Sequence, residues 1–287
     1  DKYTIVVRSQ NKPVSDRQLM VYGNIPRDGG FYTFTEEEKD TFLQEEPDAA
    51  KFMYRFLGSK EYINNTQRWI LFLKDAEPQE LKNLPKVMER IQAVKEFRLS
   101  SKAKEIHKFA ETPTLFAQQT QPVGEPFVIV PIVSSSRRRY VPMGYVDGNT
   151  IVNNRVFLIP NADLYMFGIL NSNVHNAWMR KVAVRLKDDY SYSKDLVYNT
   201  FPLPELTEER KKNIAQTAKS ILDARALYPN SSLADLYDPL TMPPELLKAH
   251  NANNRTVMAA YGFSIKMTEA DCVAELMRMY QILTEEK

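Results

Sequence analysis

Two prolines near residue 200 constrain the fold of this chain more than any other sequence feature, because they separate two stretches of different pattern. Pro202 and Pro204 exclude both a helix and a central strand at that point. Before them, short β-rich runs alternate with helical segments, and after them almost every segment has helical spacing. We therefore expect an α+β fold. Residues 1–200 should form a mixed domain with one antiparallel sheet and a long helix, and residues 201–287 a small all-α C-terminal bundle.

The composition indicates an ordinary globular protein. Of 287 residues, 43% are apolar and 26% are charged, which excludes fibrous and largely disordered classes. The single cysteine, Cys272, cannot form an internal disulfide, so nothing points to an oxidising compartment. No apolar run approaches the roughly 20 residues of a membrane helix. We expect a cytoplasmic protein with no membrane association and, because the chain begins with Asp1 rather than Met, a piece of a longer polypeptide.

Periodicity and turn residues predict the individual elements. Apolar residues at three- and four-residue spacing between Leu81 and Val94 predict the long helix, with basic side chains mostly on its outer face. Thr207 and Thr268 are suitable N-caps for later helices, and Gly262 is a suitable stop. The predicted helices cover residues 78–110, 162–185, 207–228, 243–261 and 268–283. The predicted strands cover residues 67–73, 127–133, 139–145, 151–152 and 156–159, and residues 187–199 are expected to be extended.

No catalytic signature is present. The chain contains no Gly-x-Gly, no phosphate-binding Gly-x-x-x-x-Gly-Lys-Ser/Thr and no Gly-x-Ser-x-Gly. The three histidines, His107, His175 and His250, lack a Cys or His partner at metal-ligand spacing. We therefore expect no catalytic residues, cofactor-binding residues or metal ligands in this chain.

Charge is unevenly distributed along the chain. The net charge of the whole chain is +2, from 38 basic and 36 acidic residues. Residues 1–200 carry 28 Lys and Arg against 24 Asp and Glu, while residues 201–287 carry 10 against 12. An excess of positive charge in the mixed domain is compatible with a nucleic-acid partner without requiring one.

A serine and arginine run is the best candidate for anion binding. Ser134, Ser135 and Ser136 precede Arg137, Arg138 and Arg139, between two predicted strands. Three adjacent like charges repel one another, and serine hydroxyls and arginine forks both donate to phosphate. A solvated basic edge strand is the alternative interpretation.

The segment that follows residue 186 is a second candidate. If it is extended, one face offers a donor, an acceptor and two hydroxyls, from Lys187, Asp189, Ser191 and Ser193, a set that can read base edges. Tyr190 and Tyr192 would then lie on the opposite face and be buried. A polar hairpin with no partner is the alternative. Asn154 and Arg155 have the same ambiguity, because asparagine is also a common turn residue.

Together these segments resemble the C-terminal part of the MmeI-like DNA methyltransferases, a family that includes combined restriction and modification enzymes of type IIG. The resemblance extends in order along essentially the whole chain. Its motifs are Val21-Tyr22-Gly23-Asn24-Ile25-Pro26 with Asp28-Gly29-Gly30, Arg68 to Leu73, Val94 to Arg98, Thr112 to Phe116, Ser134 to Pro142, Ile159 to Ala162, Asp189 to Tyr198 with Phe201-Pro202, and Leu236 to Pro243.

The resemblance implies a target recognition domain for double-stranded DNA followed by a helical C-terminal domain. It also implies an upstream methyltransferase domain of the same polypeptide, which would transfer a methyl group from S-adenosylmethionine to adenine N6. The cofactor loop would lie in that domain, so the chain itself would bind no cofactor.

The resemblance further implies roles for particular residues. The positions that read bases correspond to Asn154, Arg155, Lys187, Asp189 and Ser191. Contacts with the DNA backbone are expected from Ser135, Ser136, Arg137, Arg138 and Arg139. A function of another class stays open, namely a protein-interaction module in which the basic helix Lys82 to Lys108 and the C-terminal bundle dock partner subunits.

Overall fold

A computed structural model of the chain describes residues 5–285, which form two compact units. The first unit comprises the chain up to Val21, Pro126–Val146 and the chain from Phe157 onward. The second unit comprises Tyr22–Glu125 and Asp147–Val156. The fold is α+β, as expected. The residues on both sides of position 200 lie in the first unit, so the expected division into 1–200 and 201–287 does not coincide with the units and stays a prediction about domains.

The described residues contain strands and helices of mostly modest length. None of these helices is long and apolar enough to cross a membrane. The strands are β1 (Val21–Tyr22), β2 (Thr33–Thr35), β3 (Met53–Leu57), β4 (Arg68–Leu71), β5 (Phe127–Pro131), β6 (Val133–Ser134), β7 (Gly144–Val146), β8 (Thr150–Val152), β9 (Val156–Pro160), β10 (Val184–Leu186) and β11 (Asp189–Ser191). The helices are α1 (Glu36–Glu45), α2 (Ser59–Asn64), α3 (Pro78–Lys82), α4 (Pro85–Leu99), α5 (Lys104–His107), α6 (Leu164–Leu170), α7 (Asn173–Val182), α8 (Glu208–Ala226), α9 (Leu233–Leu236), α10 (Pro244–Tyr261) and α11 (Glu269–Glu285).

The strands belong to three separate sheets. One sheet has the order β1-β9-β5-β7, a second has the order β10-β11-β6, and a third has the order β2-β4-β3-β8. The single antiparallel sheet expected from residues 127–159 is therefore wrong, because its strands are divided among all three sheets. Strand β8, for example, pairs in parallel with β3. Local pattern identified most of these strands but could not identify their partners.

Buried apolar side chains hold the first unit together. All five residues of β5 are buried, which is typical of a strand covered on both faces. Trp178 of α7 is fully buried and its indole N–H donates to the Thr200 hydroxyl at 3.2 Å. Helix α6 packs closely on α8 at Gly168, where there is no room for a side chain. A Cβ added at this position would lie only 2.7 Å from the side chain of Ile214. The same core thus joins the strands and the later helices.

The caps predicted for the C-terminal helices are confirmed. The Thr207 hydroxyl accepts from the Arg210 amide at 3.2 Å, and the Thr268 hydroxyl accepts from the Asp271 amide at 3.1 Å. Helix α10 ends at Gly262, whose φ of 70° is in the left-handed region. Cys272 is buried in the same unit.

In the second unit, a sheet and helix α4 surround a separate core. Val87, Ile91 and Val94 of α4 are buried in that core. Arg98 is also fully buried, and all five N–H groups of its guanidinium donate to backbone carbonyls at 2.7–3.1 Å. The accepting carbonyls belong to Pro26, Arg27, Phe109, Thr112 and Leu115.

Several predicted elements are shorter than expected. The single long helix predicted over residues 78–110 is wrong. Helix α3 ends at Lys82 and α4 begins at Pro85, because proline has no amide N–H and fits only the first turn of a helix. The helix over residues 162–185 is interrupted at Ser172, whose hydroxyl accepts from the His175 amide and caps α7. Residues 187–199 are extended only over β11 and then form a π-helical turn over Lys194–Tyr198.

Candidate nucleic-acid interface

Strands β10 and β11 form a hairpin in the first unit, called the hairpin below and comprising residues 184–191. Its turn consists of Lys187 and Asp188, and Leu186 lies opposite Asp189 at the turn. Lys187 has a φ of 57°, in the left-handed region that two-residue hairpin turns require. All three residues of β10 are exposed.

The two faces of β11 differ in burial as the sequence predicted. Tyr190 is 9% exposed and Tyr192 is 1% exposed, while Asp189 and Ser191 on the other face are half-buried. The Tyr192 hydroxyl lies 2.8 Å from Nε2 of His175. The aromatic face therefore attaches the hairpin to the core, and the polar face is accessible.

The predicted position of Lys187 is wrong. We expected it to share one extended face with Asp189 and Ser191, but it lies in the turn and is exposed. A residue with positive φ interrupts the two-residue alternation of a strand. Lys187 therefore lies at the tip of the hairpin, while Asp189 and Ser191 share a face.

Strand β6 connects the hairpin to the arginine run. It pairs with β11, with Ser134 opposite Tyr190 and Val133 opposite Ser191. The chain then turns, because the Arg138 amide donates to the Ser135 carbonyl at 3.1 Å and the Arg137 amide donates to the Ser135 hydroxyl at 3.3 Å. We call Ser135–Arg139 the arginine turn. The arginines thus lie in a tight turn at the end of β6, and the strand predicted to begin at residue 139 begins at Gly144 instead.

The three arginines have different surroundings. Arg137 is exposed and lies 3.7 Å from Asp238. Burial lowers the pKa of Arg138, and the negative charges of Asp189 and Asp238 oppose that effect. Arg139 is exposed, with its guanidinium carbon 5.5 Å from the centre of the Tyr140 ring. Arg138 is thus electrostatically coupled to Asp189, while Arg137 and Arg139 face solvent beside them.

The serines of this segment have separate roles in the turn. Ser135 is half-buried and accepts the two amide hydrogen bonds that shape it, whereas Ser136 is exposed. Ser134 is 3% exposed and lies on the inner face of the sheet. Only Ser136 therefore has a freely accessible hydroxyl in this run.

Asn154 and Arg155 lie in the second unit, at the turn between β8 and β9. Both are exposed, and the Arg155 amide donates to the Asn153 side-chain oxygen at 2.9 Å, which closes the turn. The structure thus places Asp189 and Ser191 in one sheet of the first unit, with the arginine turn directly after a strand of that sheet, and it places Asn154 and Arg155 in the other unit.

Sequence reasoning missed two arginines near this surface, Arg185 and Arg180. Arg185 of β10 lies with its guanidinium carbon 4.2 Å from the centre of the Tyr190 ring, and it donates to the Asp188 carbonyl at 2.8 Å. Arg180 donates to the Arg139 carbonyl at 2.8 Å. The prediction of a helix through residue 185 concealed β10, although Val184 and Leu186 flank Arg185 in a strand-like alternation.

Comparison with known proteins gives matches along the whole chain. Residues 1–205 match the family described as "MmeI, target recognition domain", and residues 206–286 match "MmeI, C-terminal domain". The chain is 39% identical over 285 residues to "DNA methyltransferase A" of Bacillus subtilis (strain 168), covering 99% of this chain and 32% of that protein.

A solved structure of the type IIL restriction-modification enzyme MmeI in complex with DNA is also similar. Its TM-score is 0.92 at 44% sequence identity, covering 99% of this chain and 38% of that one. The chain therefore spans about a third of the length of the relatives that it matches.

Proposed function

The chain belongs to the MmeI family, of which it carries the target recognition and C-terminal domains, and we propose from this that it recognises a specific sequence in double-stranded DNA. One observation carries the proposal. Strand β11, which carries Asp189 and Ser191, pairs with β6, and the arginine turn directly follows β6, so groups suited to base edges and to phosphates lie at one end of the same sheet.

The arginine turn supplies the contacts with the DNA backbone. Arg137 and Arg139 are exposed, and an arginine fork binds phosphate oxygens in a bidentate manner. The Ser136 hydroxyl can donate to the same group. Such contacts set the register and orientation of the protein on the duplex without reading its sequence.

The hairpin supplies the base contacts. A two-stranded ribbon fits the major groove, where Asp189 accepts from the amino group of cytosine, Ser191 discriminates little and Lys187 at the tip donates to guanine. Asn154 and Arg155 are proposed to read further base pairs from the turn of the second unit, because both are exposed there.

The chemistry of the whole protein belongs to residues outside this chain. We propose methyl transfer from S-adenosylmethionine to adenine N6 by an upstream methyltransferase domain, in the cytoplasm. The chain has no Gly-x-Gly loop that could hold this cofactor. Its own residues would hold the duplex and orient the target base pair.

A mobility-shift titration tests the proposal. The 287-residue chain is mixed with random-sequence duplexes at several salt concentrations, and the bound duplexes are sequenced. DNA recognition predicts an enriched motif and an affinity that falls steeply with salt, by roughly tenfold or more between 50 and 200 mM, because phosphate contacts release counterions. Binding of no duplex, or a weak salt dependence, would instead favour the module that docks protein subunits.

A further inference from the structure

The accessible face of the hairpin is more apolar than a solvated sheet requires. Val184 is 56% exposed, Leu186 is 51% exposed, and Val133 on the neighbouring strand is 42% exposed. None of the three belongs to the apolar cores of the described residues. These three side chains therefore form an unpartnered apolar surface.

The strand register places this surface beside the proposed base readers. Val184 lies opposite Ser191, and Ser191 lies opposite Val133, in one row across three strands. Leu186 lies opposite Asp189 in the next row. Because residues directly opposite each other in an antiparallel pair share a face, the apolar side chains alternate with Asp189 and Ser191.

The stability of the hairpin does not account for these apolar residues. The hairpin is attached through its other face, where Tyr190 and Tyr192 are buried and Arg185 covers the Tyr190 ring. Substituting Val184 or Leu186 by a polar residue would remove no contact with either core. A partner of the hairpin is a better explanation of their apolar character.

The surrounding charge favours DNA as that partner. Lys187 at the tip of the hairpin and Arg137 and Arg139 of the arginine turn are exposed, so cationic groups border the apolar surface together with the acidic Asp188 and Asp189. A partner of this surface must therefore combine anionic groups with apolar ones and with groups that can pair with a carboxylate. The major groove of DNA lies between two rows of phosphates and presents one apolar group, the C5-methyl of thymine.

We propose that Val184, Leu186 and Val133 contact thymine methyl groups in the major groove and so specify thymine beside the base pairs read by Asp189 and Ser191. The inference rests on the proposed function. The dimensions agree with it, because Val184 and Leu186 are about 7 Å apart along the strand, which corresponds to roughly two base-pair steps. The hairpin would thereby read donor, acceptor and methyl positions from one face.

Replacement of thymine by deoxyuridine tests the proposal, since it removes only the methyl group. The probe is the duplex enriched by the wild-type chain, made once with thymine and once with deoxyuridine. We expect the wild-type chain to bind the thymine duplex about fourfold more tightly per methyl group contacted. Leu186→Ala and Val184→Thr should reduce that ratio toward one. Leu227→Ala is the matched control, because Leu227 is a 62% exposed leucine at the end of α8, outside the hairpin.

The outcomes separate the inference from the proposed function. If the wild-type chain binds the thymine and deoxyuridine duplexes with equal affinity, the inference is overturned and DNA recognition stays intact. The same holds if Leu186→Ala and the wild type have the same ratio of affinities for the two duplexes. Absence of duplex binding by the wild type would overturn both. The inference is also overturned if the wild type is a dimer, Leu186→Ala is a monomer, and both have the same ratio of affinities for the two duplexes. That result would show that the surface joins two copies of the chain.

Discussion

Tyr190 lies directly opposite Ser134 in antiparallel strands, although the two residues belong to distant parts of the chain. Both side chains are buried on the inner face of the sheet. This pair holds the hairpin, which carries Asp189, next to the arginine turn. The geometry places groups suited to phosphates within reach of groups suited to base edges, and the following predictions depend on it.

Replacement of Arg139 by alanine should weaken binding to all duplexes about equally. The side chain is exposed beside the hairpin, and loss of one phosphate contact should reduce the slope of log affinity against log salt by about 1. The measurement is a salt series on an enriched duplex and on a random one. Arg278→Ala on α11 is the control, and a slope equal in both variants and the wild type would show that Arg139 is merely solvated.

Replacement of Asp189 by asparagine should change the recognised sequence. An amide cannot act as an obligate acceptor and pairs well with adenine, so the preference for cytosine at one position should weaken by about 1–3 kcal/mol. Sequencing of the duplexes selected by each variant measures the change. Asp188→Asn alters the adjacent turn residue and should leave the motif unchanged. An identical motif for all three proteins would mean that Asp189 positions the hairpin and does not read a base.

Mildly acidic pH should destabilise the chain through two buried histidines. Burial, together with the positive charge of Arg17, lowers the pKa of His175 to about 3, and burial with Arg225 lowers that of His250 to about 3. In the unfolded chain both have a pKa of about 6.5. The unfolded state therefore binds more protons between these values, and the free energy of unfolding falls as pH drops below about 6.5.

Urea unfolding at pH 6 and pH 5 measures this effect. Each histidine should contribute roughly 1.4 kcal/mol per pH unit, so His175→Gln should have a shallower pH dependence than the wild type by that amount. The comparison uses slopes and does not depend on the absolute stability of the variant. Equal slopes would mean that His175 can be protonated in the folded state.

Replacement of Arg98 by methionine should strongly destabilise the second unit. Five backbone carbonyls would lose their charged donor inside the protein, and we expect a loss of about 3 kcal/mol or more. Lysine should not rescue the loss, because its three donors cannot reproduce the planar fork. Lys95→Met, on the exposed face of the same helix, is the matched control for urea unfolding. A similar midpoint for both methionine variants would contradict the structural role of Arg98.

The chain should bind no S-adenosylmethionine. It lacks the glycine loop that such a cofactor requires. Isothermal titration calorimetry at micromolar protein concentration should detect no saturable heat, and labelled methyl groups should not enter DNA. Saturable binding in the micromolar range would place part of the methyltransferase site in this chain.

Local signals in the sequence were sufficient to predict the caps of two C-terminal helices and the buried face of the hairpin. The hydroxyls of Thr207 and Thr268 cap α8 and α11 as predicted, because a cap depends on residues within one turn. Burial of Tyr190 and Tyr192 was predicted from alternation alone. The resemblance of the motifs also identified the family, because their order extends along the whole chain.

Only the tertiary structure decided which strands pair and which residues share a surface. Strand pairing is non-local, and short strands with similar local patterns can pair with many partners until their buried faces are matched. For this reason one expected sheet became three, Lys187 proved to be a turn residue, and Asp238 lies beside Arg137. The sequence by itself thus determined the type of most elements and the candidate residues, although it concealed β10, while packing of buried faces determined that Asp189 and the arginine turn lie together.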